Sequence, residues 1–229
     1  MIKILPLYAD LLNLYGEYGN VTILKKHLED QNKEVVIDKK GLDEDIDFSQ
    51  YDFIYIGSGL ESNLKVALKD IKRHKNNLLK AIDDNKCILF TGGAYELLAN
   101  KIDDEEGLGI IDMEVKHLDR RISGDVVMSH PEFGELVGFI NKSFTISMHQ
   151  KGTFEYIFKD EGLVSEKDSE GYQKNNLLAT QLIGPLLVKN PAILNYYVKT
   201  LCKKVKDIDY IYERKSYAVT LEALKQRIK

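Results

Sequence analysis

Cysteine is scarce in this chain: Cys87 and Cys202 are the only two among 229 residues. Two thiols so far apart suggest neither a disulfide framework nor a zinc site. The five histidines are scattered without metal-like spacing, so no metal and no cofactor are expected. Positive charge is outnumbered by negative. Lys and Arg number 32 against 36 Asp and Glu, and the net charge of −4 argues against a nucleic-acid partner. Lysines do gather in KDIKRHKNNLLK (69–80), but apolar residues recur there at helical spacing, and the segment reads as a solvated helix face. Long apolar runs are missing: none approaches the roughly 20 residues a membrane span needs. MIKILPLY at the start is too short and too lightly charged for a signal peptide. The chain is read as cytoplasmic. No internal repeat or linker-like stretch divides it, so residues 1–229 are read as one domain.

What is present suits a folded domain: 44% of residues are hydrophobic and 30% charged. The first hundred alternate between two periods. IKILPLY (2–8), KEVVID (33–38), YDFIYIG (51–57) and CILFTG (87–92) read as strands. NVTILKKHLEDQ (20–31), with Asn20 a candidate N-cap, reads as an amphipathic helix, and 61–85 as a long helix or a broken pair. Apolar strands separated by helices predict an α/β fold with a mostly parallel sheet covered on both faces. Ligands in such folds sit beyond the carboxyl ends of the strands, which directs attention to the loops after Tyr8, Gly57 and Thr91.

The second half is β-rich. GLGIIDMEV (107–115), RISGDVVMS (121–129), GELVGFIN (134–141), FTISMH (144–149) and GTFEYIF (152–158) read as short, glycine-punctuated strands. A polar loop is expected over 160–176 and a strand running into a turn over 177–187. Helices are expected over 191–205, with Pro191 in its first turn, and near 213–228.

One stretch has the layout of an enzyme elbow. In CILFTGGAYELLAN (87–100) a β-run meets Gly-Gly and then a helix-like Tyr-Glu-Leu-Leu. Such a bend pushes one side chain out above a sheet and often carries a nucleophile. Here the bend offers only Thr91, Gly92, Gly93 and Ala94.

Five segments in one order, LYADLLNLYGEYGNVTILKKHLE (7–29), IYIGSGLES (54–62), FTGGAYELL (90–98), GELVGFIN (134–141) and GPLLVKNP (184–191), carry a resemblance. The chain resembles the CobB/CobQ-like class I glutamine amidotransferases, and within them the GatD-type subunit that partners a MurT-type Mur-ligase homologue in amidating a peptidoglycan precursor. The resemblance implies a flavodoxin-like class I amidotransferase fold. It also implies an elbow cysteine, in a pattern like Cys-Gly-Gly-Tyr-Gln-Leu-Leu, activated by a histidine in Tyr-Leu-His-Gly-Pro-Leu-Leu. The pair suits the reaction, because a free cysteine is mostly thiol near neutrality and an imidazole can act as its base.

Neither residue is carried over. Aligning on Tyr95, Leu97 and Leu98 puts the nucleophile position on Gly92 and the family glutamine on Glu96; with one residue inserted after the glycines, the position falls on Thr91 instead. The histidine position in TQLIGPLLVKNP (180–191) is Ile183. Cys87 opens the strand that ends at the elbow, at the wrong end of the sheet, and reads as a small buried hydrophobe, while Cys202 reads as helix packing. His27, His74 and His117 read as surface residues, and His130 and His149 as surface-loop residues near strand ends.

Three functions stay open. The first is a non-hydrolysing scaffold or regulatory subunit for a Mur-ligase-like, ATP-dependent amide synthetase. The second is an active amidotransferase or other hydrolase with an unforeseen nucleophile. The third is a sensor that binds a glutamine-like small molecule through Gly57, Gly59, Gly92, Gly93, Tyr95 and Glu96.

Overall fold

A computed structural model describes residues 1–163 and 168–228. Its chain order is β1 (Ile2–Pro6), α1 (Gly19–Asp30), β2 (Val35–Ile37), β3 (Phe53–Ile56), α2 (Glu61–Ile71), α3 (Lys75–Asp83) and β4 (Cys87–Thr91). There follow β5 (Ala99–Ile102), β6 (Glu105–Glu106), β7 (Ile111–His130), β8 (Gly134–Met148), β9 (Phe154–Lys159), β10 (Ser169–Glu170), β11 (Tyr172–Lys174) and β12 (Leu177–Thr180). Helices α4 (Leu186–Lys189), α5 (Pro191–Cys202) and α6 (Ile211–Lys225) complete the order.

The first sheet runs β11-β12-β4-β3-β1-β2, parallel throughout except for β11 at its edge. Period-2 alternation explains why it is covered twice. Ile54, Ile56, Ile88 and Phe90 pack with Leu64, Leu68 and Ile82 of α2 and α3. Their neighbours Phe53, Tyr55 and Leu89 pack on the other face, with Leu24 and Leu28 of α1 and Leu194 and Tyr197 of α5. The expected mostly parallel sheet with helices on both faces is therefore present.

The second sheet corrects the reading of short strands. β7 spans 20 residues and pairs antiparallel with the 15-residue β8 along both its halves. The register shifts between His117 and Ile122, where the exposed Asp119, Arg120 and Arg121 interrupt the apolar pattern. The shift lets one strand serve two cores: Ile111, Met113 and Val115 join the α2/α3 side, and Ile122, Val126 and Met128 the α1/α5 side.

The helix-like segment after the elbow is a 3-10 helix over Gly92–Leu98. Three further expectations change. Asn20 is not an N-cap; Tyr18 holds that position and Asn20 is buried inside α1. The loop expected over 160–176 contains β10 and β11, and its residues 164–167 lie outside the described residues. His27 and His130 are buried: one ring stacks on Tyr210 of the chain before α6, the other on Phe133.

A paired sheet edge protects β8. Its Val137 N–H donates to Asn190 Oδ1 at 2.9 Å, and Asn190 Nδ2 donates to Val137 O at 2.9 Å and to Leu186 O at 3.0 Å. Asn190 is fully buried between α4 and α5, so water cannot replace it. Asn190→Ala is expected to lower unfolding free energy by about 2–4 kcal/mol, measured by urea denaturation, because it strands both polar groups of Val137. A loss within error of zero would show that the edge is held elsewhere.

Candidate functional site

The site is built where β4 ends. Gly92, the first residue after the strand, has φ +58°, a conformation most side chains avoid. Thr91 before it is extended, with φ −128°. The elbow's sharp turn is thus at Gly92.

Three elements close over that turn. A Cβ placed on Gly92 would lie 2.5 Å from Cγ2 of Ile183 and 2.8 Å from Cβ and Oγ of Ser58. The two positions the resemblance singled out, Gly92 and Ile183, are therefore in contact. Ile183 is buried and its N–H donates to Phe139 O of β8 at 2.9 Å. Gly93 N–H donates to Ser58 Oγ at 3.2 Å, which ties the elbow to the glycine loop after β3. Gly57 and Gly59 of that loop serve close packing: a Cβ on either would strike Leu12, its carbonyl oxygen at 2.8 Å for Gly57 and its Cδ2 at 2.4 Å for Gly59.

Beneath the elbow lies a buried polar network that reading the sequence did not single out. Glu17 is fully buried. Its Oε2 accepts from Thr91 Oγ1, from Tyr55 OH at 3.1 Å and from Asn20 Nδ2 at 3.5 Å, while Oε1 accepts from Gly184 N–H at 2.8 Å. Asn20 Nδ2 also donates to Tyr55 OH at 3.0 Å, and Asn20 Oδ1 accepts from Leu187 N–H at 2.7 Å. Burial raises the Glu17 carboxyl above its ordinary range, against the pull of these donors. Glu17 and Asn20 stand inside one of the family-like segments, but only the fold brings them to Thr91.

A second buried carboxylate flanks the same segment. Glu170 accepts from Thr180 Oγ1, and its Oε2 accepts from Gln181 N–H at 2.8 Å; Lys142 Nζ in turn donates to Gln181 Oε1. Burial pushes Glu170 up to about 7.

The remaining expected site residues point elsewhere. Tyr95, expected among ligand contacts, is fully buried in the α2/α3 core with its hydroxyl 3.5 Å from Met148 Sδ. Glu96, buried, faces His117: Oε2 and Nε2 are 3.2 Å apart, an ion-pair contact not aligned as a hydrogen bond. His117 Nδ1 lies 2.7 Å from Asp103 Oδ2. His117 is thus no free surface residue: the Glu96 carboxylate, with Asp103, raises its imidazole to about 9 despite burial.

The two cysteines stay away from this chemistry. Cys87 pairs with Phe53 at the start of β4, and burial pushes its thiol up to about 12. Cys202 is buried on α5. Among the described residues no cluster of three or more His, Cys, Asp or Glu could hold a metal, and no helix is long and apolar enough to cross a membrane.

Two pH windows follow. A group whose pKa is raised on folding stabilises below its unfolded value, and that stability is lost as pH climbs through the folded value. Glu170 therefore lowers stability between about pH 4.5 and 7, and His117 between about pH 6.5 and 9, each by roughly 1–3 kcal/mol. Denaturation across this range should lose the lower step in Glu170→Gln and the upper step in His117→Gln. Unchanged pH profiles would refute the assignments.

Comparison with known proteins identifies the family. A sequence model described as the CobB/CobQ-like glutamine amidotransferase domain matches residues 3–191. The chain is 32% identical to the GatD subunit of lipid II isoglutaminyl synthase (glutamine-hydrolyzing) from Staphylococcus aureus strain N315, over 86% of this chain and 82% of the relative. It is 27% identical to the Streptococcus pneumoniae R6 subunit of the same name, over 89% and 81%. Its fold is similar to PurLQS of Thermotoga maritima, with TM-score 0.58 and 16% identity over 85% of this chain and 98% of the other. It is also similar to the acivicin-bound glutaminase domain of Trypanosoma brucei CTPS, with TM-score 0.57 and 13% identity over 93% and 96%. The chain belongs to the CobB/CobQ-like glutamine amidotransferase family.

Proposed function

We propose that this chain is a GatD-type amidotransferase subunit that does not hydrolyse glutamine, and that it serves a cytoplasmic, MurT-type amide synthetase as scaffold or regulator. One observation carries the reading: the turn falls on Gly92, the position that the resemblance gives to the nucleophile, and Ile183 occupies the space above it. The positive φ of Gly92 supports its register over Thr91, since the strained residue of an elbow is the one whose side chain is presented.

Glutaminase chemistry needs a thiolate and a base within hydrogen-bond reach. Here there is neither thiol nor imidazole at the two facing positions. Thr91 is no ready substitute: its hydroxyl is fully buried and already donates to Glu17. The kinship with GatD subunits, whose name pairs them with lipid II amidation, supports a role in cell-wall metabolism. A synthetase partner would then draw on free ammonia or another source.

Glutamine-dependent ammonia release, assayed on the purified chain, should be absent. In Gly92→Cys/Ile183→His it should appear, because replacing Ile183 also removes the Cγ2 that lies 2.5 Å from the new Cβ. Turnover by the parent, abolished in Thr91→Ala, would overturn the reading.

The same geometry makes a stability prediction. Gly92→Ala puts a Cβ at positive φ against Ile183 and Ser58, and should cost about 2–4 kcal/mol in urea denaturation. Adding Ile183→Ala should recover part of that loss. Additive losses would mean the two positions do not touch.

A further inference from the structure

The lysines after the glycine loop differ from those of α1 and α3. On α1 and α3, Lys25, Lys26 and Lys80 each have an acid four residues on and bind it: Glu29, Asp30 and Asp84. Lys40 binds Glu44 in the same way. Along α2 and the 3-10 turn to α3, Lys65 is instead followed by Lys69, Lys69 by Lys72 and Arg73, and Lys72 by Lys75, all at spacings of three or four. Lys65, Lys69 and Lys72 are exposed and Lys75 is half-buried. Among the described residues none of these four lysines has a carboxylate within ion-pair distance. The acids that could have answered them are engaged: Asp70 with Arg73 and Tyr8, and Glu61 with Arg121 and Ser143.

Like charges at these spacings destabilise a helix, so the arrangement costs stability in the free chain. Like charge along a helix that finds no ion-pair partner in the chain suits a partner of opposite charge. The ridge is about 15 Å long at the helical rise. Val66, 48% exposed, stands beside it and supplies an apolar contact.

From this geometry we infer that the Lys65–Lys69–Lys72–Lys75 ridge is a docking surface for an acidic protein segment whose carboxylates recur at helical spacing. A flat anionic membrane fits less well. Lys65 shares a cleft of about 200 Å³ with Asp104 and Glu105, so the ridge ends beside negative charge. A narrow acidic segment can follow the lysines and avoid those acids; a bilayer cannot. The inference is independent of whether the elbow hydrolyses glutamine.

The test uses poly-L-glutamate as probe, with the full chain, near neutral pH and at about 50 mM salt, where surface charges are weakly screened. A chain of net charge −4 should otherwise repel this polymer. Binding by fluorescence anisotropy is expected, weakening as salt rises. It should fall about tenfold or more in a variant with Lys65, Lys69, Lys72 and Lys75 all changed to Gln. The charge-matched control, with the paired Lys25, Lys26, Lys40 and Lys80 changed to Gln, should stay within about threefold of the parent. Thermal melting adds a readout free of ligand, since Lys69→Glu should raise Tm by relieving the repulsion. No binding by the parent, or equal losses in the two quadruple variants, overturns the inference. Ridge-dependent sedimentation with phosphatidylglycerol vesicles, as strong as binding to the polymer, overturns it in favour of a membrane.

Discussion

Four consecutive backbone N–H groups, those of Gln181 to Gly184, hold the elbow together. Each has a different acceptor: the Glu170 carboxylate, the Thr180 hydroxyl, the Phe139 carbonyl and the Glu17 carboxylate. The segment leaves the first sheet at β12, bridges to the second sheet at Phe139 and enters the turn before α4. It therefore fixes how the two sheets meet as well as where Ile183 sits. Burying two carboxylates is costly, and their raised pKa values register that cost. Each is offset by several donors converging on it, so the network is stable only when complete. The Ile183 contact with Gly92 depends on this clamp.

Much of the fold was legible because it obeys local periods. The alternation in FIYI and CILF places successive residues on two helix-covered faces, and a parallel sheet requires that pattern. The long β7/β8 hairpin was not legible as two strands, because the polar stretches 116–120 and 142–143 look like ends. In the structure a Cβ at Gly138 would lie 2.7 Å from Leu182, so that glycine marks close packing between strand and segment rather than a turn. The 3-10 helix after the elbow was legible only as helix-like: Tyr95, Glu96, Leu97 and Leu98 are all buried, so no exposed face gives the segment a period.

The candidate site divides the same way. Its address could be read, since the order of five short segments located both the elbow and the position facing it. Its contents could not. Glu17 touches Thr91 across 74 residues of sequence, and Gly184 across 167. His117 looked like a surface residue because its two carboxylate partners lie at separate places in the chain. The lysine ridge was visible as a charge run, but its lack of partners was not. That required knowing that Asp70 turns inward to Tyr8 and Glu61 turns aside to Ser143.

The packing over the turn favours the proposed scaffold role over the alternatives. A sensor that bound a small molecule at the elbow would need space above Gly92 and donors aimed into it. That space holds the buried Ile183, and Gly93 N–H, the backbone donor beside it, is spent on Ser58. A ligand would have to displace an isoleucine held by the clamp and break at least one of the clamp's hydrogen bonds. Binding energy spent on that opening is lost to affinity. An enzyme on this fold would face the same obstruction and would lack a thiol as well. A scaffold faces neither difficulty. In the proposed scaffold, glycine relieves the strain of the turn, isoleucine fills the space over it, and the surfaces around the cleft keep their places.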